Sequence, residues 1–217
     1  MEQSVTLLEV KVWGLWACFT RPEMKVERVS YPVPTASAAK GILESIFWKP
    51  QFTWDVQEIW VLKPIHYASI LRNEVKSKAS FRTAQQWADE GGGYDINEER
   101  TQRHTLALRD VAYVIRAQVV VKPGCDAHPA KFRDQFRRRV TRGQCFIRPY
   151  LGCREFAAYF AMPDGTEQPL DLTCDLGRML LDLAYPLEEK GRSSPRFFEA
   201  HLERGILQLP ARPAVEG

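Results

Sequence analysis

The side chains best fitted to chemistry in this 217-residue chain are cations. Lys131, Arg133, Arg137, Arg138, Arg139, Arg142, Arg148 and Arg154 fall in one stretch whose only acid is Asp134. That stretch carries +7, against +3 for the whole chain, so the remainder is net acidic. Charge concentrated in this way makes a local field that attracts a polyanion. The ordinary alternative is a solvated helix face followed by a loop. A second group, Lys25, Arg28, Lys40 and Lys49, surrounds the first predicted helix. The planar fork of arginine suits phosphates and stacked bases, and Gly143 and Gly152 would let backbone approach such a ligand closely. Some of the arginines are expected to pair with Asp134 or Glu155 instead.

Other chemistries find less support. The five cysteines, Cys18, Cys125, Cys145, Cys153 and Cys174, are odd in number, widely spaced and contain no CxxC pair. Reduced, mostly buried thiols are expected, with no metal site and no cofactor. Trp54, Trp60 and Tyr113 could stack on bases, but core packing is the commoner use of such residues.

These residues need elements to hold them. A hydrophobic fraction of 45% supports a proper core, and the small net charge argues against disorder for most of the chain. Alternation predicts strands over 6–13, 52–65 and 108–121. Pro32 and Pro34 make 14–34 an extended loop. Thr35 reads as the N-cap of a helix over 36–47, ended by Pro50. Residues 69–103, with their Gly91-Gly92-Gly93 run, read as a long loop carrying a short helix near 83–89. A basic helix over 130–141 sets Phe132, Phe136 and Val140 toward the core and ends at Arg142-Gly143. Residues 144–160 read as strand-rich, interrupted by Pro149 and Gly152.

The order β-α-β-β-α-β is the ferredoxin-like topology of RNA-recognition modules. The fold expected is therefore α+β, a ferredoxin-like domain over 1–161 with a small β appendage over 162–217. In the appendage, two strands meet across Glu203-Arg204-Gly205, and the chain from Pro210 is a loose tail. The aromatic pattern K/R-G-F/Y-G/A-F-V-x-F/Y of a generic RNA-recognition module is absent. No signal peptide is evident, and no apolar run approaches the roughly 20 residues of a membrane span. A cytoplasmic protein without membrane contact is expected.

Local sequences narrow the reading. SYPVPTASAAKGILESIFWKP (30–50) and RGQCFIRPYLGCREF (142–156) closely resemble the corresponding blocks of the CRISPR-associated Cas five family, subtype I-C. So do VLKPIHY, LRDVAYVIRA, KFRDQFRRRV and the C-terminal RFFEAHLERGILQLP, in the same order. The resemblance covers most of the chain and is weakest over 69–103. It implies a ferredoxin-like domain with a C-terminal β extension. It also implies recognition of the CRISPR repeat hairpin, metal-free cleavage of the precursor RNA, and retention in the type I-C interference complex with that complex's other subunits.

The cleavage so implied uses the ribose 2′-OH as nucleophile. It needs a base, a cation beside the phosphate and an acid for the leaving oxygen. Of the family's Tyr, Lys and His, the lysine maps to Lys131, whereas the tyrosine falls on Phe47 and the histidine on Phe132. Phenylalanine moves no protons. Either other side chains substitute, or the protein binds without cutting efficiently. The substitutes are His66 and Tyr67, His128 three residues before Lys131, then His104, with His201 last. RNA contacts fall to Lys25, Arg28, Lys40, Lys49, Arg137, Arg138, Arg139, Arg142 and Arg148. Two alternatives stand beside a processing endoribonuclease: a non-catalytic subunit capping the 5′ handle, and a general nucleic-acid binder that also takes duplex DNA.

Overall fold

The computed structural model describes residues 7–77, 80–93, 95–184 and 194–210. In chain order the elements are β1 (Leu8–Ala17), β2 (Arg28–Val29), α1 (Ala36–Ile46), β3 (Phe52–Val61), β4 (His66–Val75), α2 (Phe81–Glu90), α3 (Ile96–Glu99), β5 (Arg100–Val121), α4 (Pro129–Thr141), β6 (Tyr159–Ala161), β7 (Cys174–Ala184), β8 (Ser194–Glu203) and β9 (Ile206–Gln208). One sheet runs β6-β1-β5-β3-β9-β8-β7, with β2 and β4 pairing the first half of β5. The pairs β1–β5, β1–β6 and β3–β5 are antiparallel.

The alternation seen in the sequence makes one face of this sheet apolar. Leu8, Val10 and Val12 of β1, Phe52, Trp54 and Ile59 of β3, and Tyr113, Ile115 and Ala117 of β5 are all buried. Helices α1 and α4 close that face. Thr35 caps α1 by accepting the Ala38 N–H at 3.2 Å. Phe132, Phe136 and Val140 of α4 are buried as expected, and the Phe136 ring meets Trp54 edge-on at 4.7 Å.

Three expectations need correction. Residues 69–103 do not form a long loop. Strands β4 and β5 pair from His66–Arg109 out to Val75–Arg100, making an arm that carries α2 and α3 near its end. Its alternation is weak because β4 has no fully buried face and α2 buries no residue. Water on both sides removes the apolar periodicity that marks a strand.

Residues 144–158 are turns with one bridge, Tyr150–Ala157, instead of a strand-rich stretch. They are threaded against the end of β1: Cys18 N–H donates to the Leu151 carbonyl at 3.0 Å. Gly152 has φ +86°, and a Cβ there would lie 2.1 Å from the Cys18 oxygen. Regular pairing is impossible with the chain held in that conformation.

Nor is 14–34 wholly a loop, since β1 continues to Ala17 and β2 pairs in parallel with β5. At the C-terminus β8 and β9 do meet across Glu203-Arg204-Gly205, and β9 joins the sheet beside β3. The expected strand start at Thr6 and the tail over 211–217 lie outside the described residues. Among the described residues, no helix is long and apolar enough to cross a membrane.

Candidate nucleic-acid interface

The N-terminus of α4 places Lys131. Pro129 suits the first helical turn, and His128 caps it, its Nδ1 accepting the Ala130 N–H at 3.2 Å. In the neutral ring that bond leaves the proton on Nε2. Lys131 and His128 are both exposed, and the Lys131 N–H donates to the His128 carbonyl at 3.1 Å. Cation and imidazole therefore share one helical turn.

Phe132 points the other way. It is 4% exposed and Phe47 only 1%. Their rings flank Phe52, at centroid distances of 4.9 Å and 5.5 Å. The positions where the resemblance calls for a proton-moving tyrosine and histidine thus form a dry aromatic cluster beneath the α4 N-terminus. The Trp54 indole N–H donates to the Phe47 carbonyl at 2.9 Å and fixes the chain as it leaves α1.

His66 and Tyr67 are not brought to Lys131. They pair with Arg109 and Leu108, whereas Phe52, beneath α4, pairs with Val121 at the far end of β5. The strand between amounts to roughly 40 Å at about 3.3 Å per residue. The Tyr67 hydroxyl donates to the Ser30 carbonyl at 3.4 Å. Burial pushes its phenol above the usual range, with Arg21 pulling it partly back, so it is a donor and not a base. His104 lies on the arm beside Ser69, and His201 lies on β8.

The basic residues divide into free and committed. Arg138 and Arg142 are exposed, as are Lys25 and Lys49; Arg148 is exposed as well but lies 5.6 Å over the Tyr159 ring. Arg139 donates to the Ile46 carbonyl at 2.9 Å and lies 5.4 Å over the Phe47 ring, closing the C-terminal end of α1. Arg137 pairs with Asp134 at 3.5 Å and Lys40 with Glu44 at 3.7 Å. Arg28 reaches both Glu74 (3.5 Å) and Glu155 (3.4 Å). The pairing expected for Asp134 and Glu155 is therefore present.

The sequence reading passed over two features. Residues 142–148 lie against the end of α1, where Phe146 and Ile147 N–H groups share the Ser45 carbonyl at 2.9 and 3.2 Å. This leaves the Phe146 side chain in solvent. The signal was available in the order Cys-Phe-Ile-Arg-Pro, an apolar pair in a basic loop that lacks periodicity. The second feature is a thiol pair at Arg28. The Cys153 thiol points at the Cys18 carbonyl (3.7 Å) and receives an Arg28 N–H at 3.4 Å. A hydrogen bond from Cys18, helped by the Arg28 charge, holds Cys153 below the usual thiol range. No spacing in the sequence announces it, because the two cysteines meet only through the fold. Among the described residues, no three His, Cys, Asp or Glu side chains are grouped to hold a metal.

A family model described as CRISPR-associated protein (Cas_Cas5), Cas5d, matches residues 7–208. A protein of Thermus thermophilus, named CRISPR pre-crRNA endoribonuclease Cas5d, is 44% identical over 96% of this chain and 93% of its own. A protein of the same name from Mannheimia succiniciproducens is 43% identical over 96% of this chain and 97% of its own. Among solved structures, one described as a CRISPR-associated protein superposes with a TM-score of 0.68 at 25% identity, over 95% of this chain and 93% of its own.

Proposed function

The chain belongs to the Cas5d family, and from that premise we propose that it binds the repeat of precursor CRISPR RNA and cuts it by attack of a ribose 2′-OH, without a metal. It then stays with the product as a subunit of the type I-C interference complex. The observation that carries this is the exposed Lys131–His128 turn at the head of a basic helix, in a chain 44% identical to a named pre-crRNA endoribonuclease. The Lys131 ammonium stabilises the charge that builds on the phosphate. His128 is exposed beside it; as the imidazolium, with its cap to the Ala130 N–H given up, it can pass a proton to the leaving 5′ oxygen while water takes the proton of the 2′-OH. His66 and Tyr67, at the other end of β5, take no part in the cut. Arg138, Arg142, Arg148, Lys25 and Lys49 hold phosphates.

We read the strand order β6-β1-β5-β3, with crossovers through α1 and α4, as ferredoxin-like. On this reading 1–161 is the RNA-binding domain and 162–217 an appendage that continues its sheet.

The test is a labelled cognate repeat RNA incubated with the protein in excess EDTA, beside a copy carrying 2′-deoxy at the cut. Cleavage of the first alone supports the proposal. The buried phenyl rings of Phe47 and Phe132 favour one second reading, a subunit that caps the 5′ handle without cutting. Tight binding with both RNAs intact would establish that reading in place of the first. Lys131→Ala separates the roles further: cleavage should fall about 100-fold while affinity holds. Equal loss of both would remove Lys131 from the chemistry. Comparable affinity for unrelated duplex DNA would instead mark a general nucleic-acid binder.

A further inference from the structure

Beyond the C-terminal end of α1 the surface carries large apolar side chains that the fold does not use. Phe146 is 79% exposed, Ile147 58% and Trp48 54%. Neither aromatic ring stacks on another among the described residues, unlike Phe47, Phe52, Phe132 and Trp54 beneath them. The backbone holding these rings is fixed. Phe47 N–H donates to the Leu43 carbonyl at 2.9 Å and Gln144 N–H to the Arg139 carbonyl at 2.9 Å, while 146 and 147 are tied to Ser45. The rings are thus exposed on rigid mounts, which a mobile loop would not provide.

Their surroundings are cationic. Lys49 follows Trp48, and Arg142 precedes the loop; with Arg138 on α4 all three are exposed. None of the three is in an ion pair among the described residues, whereas Arg137, Arg139 and Arg28 nearby in sequence or space are committed to protein acceptors. Aromatic faces interleaved with unpaired cations match a single nucleic-acid strand, which offers base faces and phosphates together. A duplex hides its base faces in the stack and gains nothing from exposed rings. A purely apolar protein partner would leave three cations desolvated and unpaired.

We infer that Trp48 and Phe146 form a stacking platform for unpaired nucleotides flanking the repeat hairpin, with Arg138, Arg142 and Lys49 on the adjoining phosphates. This rests on the RNA reading above and adds to it the part of the RNA that this surface takes. The platform selects single-stranded RNA and is tolerant of its sequence, because every base has a π-face.

The experiment compares two RNAs, the repeat hairpin with its unpaired flanks and the same hairpin trimmed to a blunt stem. Trp48→Ala and Phe146→Ala should each weaken binding of the flanked RNA on the order of tenfold and leave the blunt stem unaffected. Trp48→Phe and Phe146→Tyr should retain wild-type affinity. Unchanged affinity for the flanked RNA, or equal loss on both RNAs, overturns the platform. A readout on the unaltered chain guards against misfolded variants. Cys145 is exposed beside Phe146, so flanked RNA, and not the blunt stem, should slow its alkylation by N-ethylmaleimide. Equal alkylation with and without flanked RNA overturns the inference. If the wild type binds neither RNA, the RNA reading itself fails. If it binds and cuts while the variants behave like wild type, only the platform fails. Variants that bind RNA normally but lose another subunit of the complex would mark the patch as a protein contact and overturn it likewise.

Discussion

Around Phe52 the rings of Phe47, Trp54 and Phe132 lie within 5.5 Å, centroid to centroid, and are closed off from water. In the arm of β4 and the first half of β5, alternate residues face solvent, and the prominent side-chain contacts are ionic. Glu74 takes Arg28 at 3.5 Å, Arg72 at 2.7 Å and Arg103 at 3.4 Å, and Glu155 takes Arg28 and Arg72. Both regions are antiparallel sheet on the same long strand β5. What differs is the second layer. Helices cover the lower half, whereas among the described residues none of 71–75 or 100–104 in the outer arm is buried, so the same backbone ladder is stabilised by area in one place and by charge in the other. Buried area stabilises strongly, whereas partly exposed ion pairs contribute little each.

The sharpest test of that contrast exchanges one ring for alanine in each region. Trp54→Ala should cost about 3–5 kcal/mol, since it opens a cavity and strips the Phe47 carbonyl of its donor. Phe81→Ala, at an 85% exposed residue on α2, should fall within about 0.5 kcal/mol of wild type. Urea denaturation of both variants measures the difference. Comparable costs would mean the arm shares the core's cooperativity, and the division drawn here would be wrong.

A smaller effect separates arginines that look alike in sequence. Arg138 and Arg139 are adjacent on α4, yet only Arg139 reaches the Ile46 carbonyl and the Phe47 ring. Arg139→Ala should destabilise by about 1–2 kcal/mol, through a lost charged hydrogen bond and a lost cation–π contact. Arg138→Ala should leave stability within about 0.5 kcal/mol and instead weaken RNA binding and flatten its salt dependence. A reversed pattern would return Arg139 to the RNA path.

The same physics decides what could be read from sequence. Phe132, Phe136 and Val140 were legible because burial on one side imposes a helical period, and Thr35 because a cap needs an acceptor at one position. The β4 run HYASILRNEV was not legible. Its partner strand lies beyond two helices, and neither of its faces is dry enough to enforce alternation. Residues 144–158 misled for the opposite reason. Their apolar content suggested strand, but Gly152 serves a close approach to Cys18, and the Pro149 carbonyl takes the Ala158 N–H, in an arrangement that only the assembled sheet reveals. In the site, Lys131 and His128 could be paired in advance because three residues make nearly one helical turn. His66 and Tyr67 were misplaced because proximity to a strand end says nothing about which end of the sheet that strand reaches. The commitment of Arg28 depended on Glu74 and on a strand pairing that the sequence reading did not include.

That commitment sets the smallest effect. Arg72 and Arg103 sit directly opposite one another across β4 and β5, a like-charge pair that would repel. Glu74 lies between them and also meets Arg28. Glu74→Gln keeps the shape and removes the charge, leaving Arg28 and Arg72 to share Glu155 and taking from Arg103 the carboxylate it meets. The groups are partly exposed, so the cost should be no more than about 1 kcal/mol. It should also shrink as salt rises, because the repulsion it unmasks is screened over about 8–10 Å at physiological ionic strength. Chemical denaturation at low and high salt measures both. A loss that persists unchanged in high salt would mean Glu74 acts by packing, and the arm would then be held by the same kind of force as the aromatic centre.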